Sequence, residues 1–171
     1  MSSATIFMLQ LALGYIPWLF CFVIYFWPKL RAMDRAEALR AIAVLHAFRF
    51  FGLVFIVPGV VGPGLPGGFA EFAAYGDFAT GLLAILALSV MKFRPLFWLL
   101  VVAFNAVGAA DIVVDYFHGI QFHLPQLAGQ LGAAYVIPII YVPILMITHI
   151  AAFRLLFNNR PATTRASSLV C

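Results

Sequence analysis

Charge is what this chain has least of. Only 9% of its 171 residues are Asp, Glu, Lys or Arg, while 65% are apolar. A soluble domain carries about a quarter charged residues and about half apolar ones. This balance excludes a water-soluble globular fold. It also excludes intrinsic disorder and nucleic-acid binding, because both need far more charge to be solvated or to grip phosphates. Cysteine is nearly missing too. Cys21 lies in the first apolar run and Cys171 is the last residue, so no disulfide framework is expected, and no C-x-x-C or zinc-type spacing occurs. No Lys or Arg precedes Lys29. A secretory leader needs a basic segment ahead of a shorter apolar one, so the first apolar run reads as a retained span. No internal repeat is visible.

What the chain has is long apolar runs. A helix needs roughly 20 apolar residues to cross a bilayer. Five runs meet that length, at about residues 5–27, 39–61, 69–91, 95–117 and 132–157. The expected fold is all-α: a polytopic integral membrane bundle of five transmembrane helices, forming a single domain over 1–158 with a short tail at 159–171. Pro28 is expected to close the first span. Asp34-Arg35-Ala36-Glu37 has the form of a capping box and predicts a helix start there. Gly62-Pro63-Gly64-Leu65-Pro66-Gly67-Gly68 makes an uncharged turn, and Lys92-Phe93-Arg94-Pro95 a basic one that leads into the fourth span. His118–Leu131 reads as the longest loop, with His118 and His123 solvated. Pro17, Pro58, Pro138 and Pro143 are expected to mark kinks.

The basic residues orient the bundle. Lys29, Arg31, Arg35 and Arg40 fall in the first turn, Lys92 and Arg94 in the third, and Arg154, Arg160 and Arg165 at the last helix end and tail. All lie on one side of a five-span bundle, and the opposite turns carry none. The positive-inside rule makes that side cytoplasmic, with the N-terminus outside and the C-terminus inside. The expected location is a bacterial-type inner membrane or a plasma membrane. The lipid bilayer is the expected partner, with a homo-oligomer or a larger membrane complex left open and nucleic acid excluded.

The tenth basic residue, Arg49, lies inside the second span. An ionisable group within a span costs about 2.5–3.5 kcal/mol on insertion scales, so each marks a candidate site. The set comprises His46 and Arg49 in the second span, Asp77 in the third, Asp111 in the fourth and His149 in the fifth. Glu71 and Asp115 lie nearer the outer ends. In the third span Ala70, Ala73, Ala74, Asp77, Gly81 and Ala84 recur at helical spacing, and a stripe of small residues predicts close packing with Asp77 turned inward. Asn105, Gly108, Asp111 and Asp115 share a face of the fourth span. Gln10, Gly14, Pro17 and Cys21 form the comparable stripe of the first.

A rise of about 1.5 Å per residue places His46 and His149 roughly 8–12 Å from the cytoplasmic ends. By the same rise Arg49 and Asn105 lie at roughly 12–15 Å, and Asp77 and Asp111 at roughly 21–24 Å. The polar groups thus form an inner histidine–arginine layer and an outer carboxylate layer. The outer acids have no Lys or Arg nearby except Arg49, which is therefore expected to pair with Asp77, Asp111 or Asn105. Acids without basic partners attract cations or hold protons. The leading expectation is a small carrier or a proton- or cation-handling protein, with Arg49, Asp77, Asn105, Asp111 and Asp115 as the ligand or ion path. The alternative is a membrane redox protein in which His46 and His149 ligate haem or a metal. A cofactor is compatible with the sequence but not required by it. A membrane-embedded enzyme, with one of these histidines as base, and an accessory subunit whose polar groups serve only packing remain open.

Overall fold

Continuous apolar sequence leaves the backbone no partner but itself, and helices result. The computed structural model describes residues 1–158, and among these the chain is all-helical, without strands. Five helices are long and apolar enough to cross a membrane: α1 (Ser3–Ala32), α2 (Arg35–Ile56), α3 (Gly67–Ser89), α4 (Arg94–Gln121) and α5 (Ile137–Phe157). A short 3-10 segment, Ala128–Tyr135, leads into α5. The tail at 159–171, with Arg160 and Arg165, lies outside the described residues.

The ends depart from the sequence expectation in instructive ways. Pro28 does not close α1. It falls at the start of a further helical stretch, Trp27–Ala32, where a missing N–H costs little, and a π-turn at Phe22–Phe26 joins that stretch to the rest of the helix. Asp34 caps α2 as expected, its carboxylate accepting from the Ala36 N–H at 3.0 Å. Pro58 lies in the turn after α2 rather than kinking it, because the helix stops at Ile56. α4 runs on to Gln121, so His118 is helical and half-buried against Phe72, with ring centroids 4.6 Å apart, instead of solvated in a loop. The glycine-rich turn is pinned to the last connection: Gly62 N–H donates to the Gln130 carbonyl at 2.7 Å, and Gly64 N–H to the Gln130 side chain at 3.0 Å.

α2, α3, α4 and α5 form a ring in which each packs on two others, and α1 lies outside it against α5. α3 carries the stripe of small residues as predicted: Ala70, Ala73, Ala74, Asp77, Gly81 and Ala84 are all buried. At Gly81 a Cβ would stand 2.8 Å from the Phe50 backbone nitrogen, so only glycine lets α2 approach this closely. α1 packs differently from its expected stripe. Gly14 is buried, but Gln10 and Pro17 are exposed, and the packed face instead includes Phe7 and Phe22. Pro143 has no N–H to offer the Ile139 carbonyl, and the helix there takes a π-turn, Ile137–Tyr141. Gly14 fits against that carbonyl, and Trp18 Nε1 donates to the next one, of Ile140, at 2.8 Å.

Two apolar cores result. One, with Leu39, Ile42, Ala84, Val101 and Phe104, sits toward the basic turns. The other, with Phe55, Phe69, Ala73 and Leu131, sits toward the opposite end. Along α2 and α3 the buried polar residues fall between them. Large apolar side chains point outward all round, among them Phe20, Val23, Leu99 and Val113.

Candidate functional site

α2 changes pitch at the residue before its arginine. The α-helix ends at Ala47, and Phe48–Ile56 is a 3-10 helix of nine residues, long for a form usually confined to three or four. In a 3-10 helix, residues three apart stand above one another. Arg49, Gly52 and Phe55 therefore make a single buried row, while Phe48, Phe50 and Phe51 point outward. Arg49 heads that row three residues after the buried His46 and enters the centre of the ring.

There the guanidinium is 1% exposed and touches every helix of the ring. Nε donates to Asp77 Oδ1 on α3 at 2.6 Å, and Nη2 donates to Asp111 Oδ2 on α4. Nη1 donates to the Gly108 carbonyl at 3.1 Å and lies 3.3 Å from His149 Nε2 on α5. The rigid, multi-donor fork of arginine suits this role, where a lysine would reach one partner at a time. The depth difference between Arg49 and the acids is thus spanned by the long side chain, and one cluster stands where two layers are expected.

Glycines make the room. A Cβ on Gly108 would lie 2.6 Å from both Arg49 Nη1 and His149 Nε2. One on Gly76 would collide with Asp111 Oδ1, and one on Gly52 with the Asp77 carboxyl. Gly108 lies on the polar face of the fourth span that the sequence marks, whereas Gly52 and Gly76 are not singled out there, although a signal exists: each buried charge has a glycine within one turn on its own helix.

Asn105 does not reach Arg49. Its Nδ2 donates to the Val101 carbonyl at 2.8 Å, which leaves Oδ1 facing His149 Nδ1 at 3.0 Å. An amide oxygen only accepts, so His149 carries its proton on Nδ1 and turns the Nε2 lone pair to the guanidinium. Asn105 thereby fixes the tautomer. His46 is fully buried beside it. The Thr148 hydroxyl hydrogen is directed to the carbonyls of Ile144 and Leu145, so Thr148 Oγ accepts from His46 Nε2 at 3.0 Å. His46 Nδ1 is left as a buried acceptor without a partner among the described residues. The two rings pack on each other with centroids 4.0 Å apart.

That contact bears on the haem or metal alternative. Matched depth does bring His46 and His149 together, yet rings in direct contact leave no slot for a flat macrocycle between them. His46 Nε2 and both ring nitrogens of His149 are committed to Thr148, Arg49 and Asn105, and His46 Nδ1 alone is open. Among the described residues no group of three His, Cys, Asp or Glu converges as a metal site.

Beside the cluster lies a cavity of about 160 Å³ with apolar walls, bounded by Asp77 and Asp115 and drawn from all five helices. Asp115 stands one turn beyond Asp111 and has no ion-pair partner among the described residues, whereas Asp77 and Asp111 both pair with Arg49. Asp111 Oδ1 and Asp115 Oδ1 are buried with no hydrogen-bond partner. The neighbouring Tyr116 hydroxyl bonds that of Tyr15 at 2.7 Å, tying α1 to α4. Glu71 is exposed and takes no part.

Four apolar helices around a buried arginine–carboxylate–histidine cluster, with a fifth packed against them, define a class: a helical bundle compatible with a multi-pass membrane protein. The chain belongs to the family described as Domain of unknown function (DUF8737), which matches residues 6–157. No curated protein and no solved structure matches it.

Proposed function

We propose that the chain spans a membrane five times and that the cluster around Arg49 handles protons or small cations, as the working part of a small carrier. Insertion is supported by the outward-facing apolar side chains of all five helices. Apolar surface left in water costs about 25 cal/mol per Å², a penalty that lipid removes. Lys29, Arg31, Arg35, Arg40, Lys92 and Arg94 at one end support a cytoplasmic position for that end.

One observation carries the functional reading: the acids outnumber the base. Arg49 is the single cation for Asp77 and Asp111, and Asp115 follows one turn later. Excess negative charge in a low-dielectric interior is costly until something neutralises it. A proton or a cation does so, and the cavity along Asp77 and Asp115 favours its arrival from the end that bears residues 118–137.

The test is flux into proteoliposomes holding a pH-sensitive dye, driven by a potassium diffusion potential, with sodium and potassium uptake measured in parallel. The wild-type chain should move protons or one of these cations above the empty-vesicle rate. Asp115→Asn, which breaks no ion pair, should lower that rate several-fold. Rates equal to empty vesicles for all three ions would reduce the cluster to a packing device and end the carrier reading.

A further inference from the structure

We infer that the cavity beside Asp77 and Asp115 is a binding site for a small organic ammonium compound with an apolar body. The inference rests on the charge-handling reading of this site and names its substrate class.

The walls set the body of the ligand. Phe7 of α1, Phe55 of α2, Phe69 of α3, Ile112 of α4 and Ile137 of α5 all face the space. Its volume, about 160 Å³, is on the scale of the engineered apolar cavity in another protein that takes up one benzene ring, about 150 Å³. A hydrated inorganic cation would leave these walls bare and lose part of its own water shell to hydrocarbon. A bare metal ion would need several converging donors, and no such group exists among the described residues.

The polar end sets the head. The ionisable groups at the cavity are the carboxylates of Asp77 and Asp115, with the Tyr116 hydroxyl already engaged by Tyr15. Asp115 Oδ1 is buried without a donor, and so is Asp111 Oδ1 one turn away, on a carboxylate only 4% exposed. A buried acceptor left unpaired is costly, and a ligand N–H that reaches it removes the cost. An ammonium group supplies both the hydrogen and the balancing charge. Phenylalanine faces attract a cation as well, and three of the wall residues are phenylalanines. An uncharged apolar molecule would satisfy the walls and leave the oxygens unpaired.

The experiment is titration calorimetry on the full chain in lipid nanodiscs, with benzylammonium chloride and the uncharged benzyl alcohol as probes. Benzylammonium should bind saturably and about tenfold or more tighter than the alcohol, as a charge-assisted hydrogen bond implies. Asp115→Asn should erase that difference. Gly119→Val should weaken both probes by filling the cavity. A Cβ at Gly119 meets only Leu124, at 3.7 Å and beyond, so the helix accommodates the change. Equal affinity for the two probes, no binding of either, or an Asp115→Asn variant that binds benzylammonium as well as wild type does would overturn the inference. Ion flux without benzylammonium binding sinks this inference and leaves the carrier reading intact. Selective binding without flux upholds the site and sinks the carrier reading instead.

Discussion

A guanidinium shared by two carboxylates inside an apolar bundle is worth little as a net source of stability but is costly to break. Removing one member of a buried charge pair typically costs about 3–5 kcal/mol, because the other is left uncompensated. Arg49→Ala strands both Asp77 and Asp111 and should lie at the upper end of that range, read as a large drop in thermal unfolding temperature in detergent. Asp77→Asn or Asp111→Asn, added to Arg49→Ala, should recover part of the loss. Simple addition of the single effects would mean that no energetic coupling exists despite the contact. Asn105 offers a finer test of the same cluster. Asn105→Leu removes the acceptor for His149 Nδ1–H and leaves a buried donor unpaired, at a cost of about 1–3 kcal/mol. Asn105→Asp keeps an acceptor for His149 but buries a further carboxylate against the Val101 carbonyl, and should cost more than Asn105→Leu in the same melts.

Among the helices, the contact of α2 with α3 decides where the arginine goes. At Gly81 the neighbour is backbone, with Phe50 N at 2.8 Å and Ala47 O at 3.4 Å from a built Cβ, so Gly81→Ala has nothing soft to push aside. It should destabilise by about 1–3 kcal/mol, the usual cost of overpacking. Gly119→Ala on α4 meets only ordinary contacts and should stabilise by about 0.5–1 kcal/mol through helix propensity. Opposite signs for one substitution type, measured in one melting assay, are the expected result. The same contact shows how far the sequence could be read. The small-residue stripe of α3 was legible, because alanine and glycine at helical spacing name the packed face directly. The change of pitch at Phe48 was not, since Ala41 to Ile56 is one apolar run and the 3-10 form depends on a neighbouring helix. Its only trace is the three-residue spacing of Arg49, Gly52 and Phe55. The face of α1 was misread for another reason. That helix is apolar all round and packs chiefly on α5, so no polar side exists to set its phase. The cluster itself was half legible. Rarity picked out His46, Arg49, Asp77, Asp111 and His149, but hydroxyls, glycines and the cavity carry no such mark.

For the whole molecule, the proposed topology ties the chemistry to a direction. The basic residues outside the spans lie in the turns around Lys29–Arg40 and Lys92–Arg94, at the end of α5, or in the tail. The opposite turns contain no Lys or Arg at all. Local charge near the span ends governs insertion, so the basic end should face the cytoplasm. Asp77, Asp111 and Asp115 would then be approached from outside through the apolar cavity, and His46 with Thr148 would lie toward the inside. Single cysteines introduced into a Cys21→Ser, Cys171→Ser background test this directly. A membrane-impermeant maleimide applied to intact cells should label Gly67→Cys and Gln126→Cys, which sit in the uncharged turns, and should miss Lys92→Cys and Thr163→Cys until the membrane is opened. Reversed labelling would invert the direction of access while leaving the cluster and its cavity as they are. Labelling of all four before opening would argue that the bundle does not span the membrane as proposed. The two positions on each side check each other, so an unreactive single site does not decide the outcome. If the expected pattern holds, Asp115 and the two acids paired with Arg49 face the compartment from which the cation or proton arrives. Arg49 then stands between that compartment and the histidines as the one fixed positive charge on the way through.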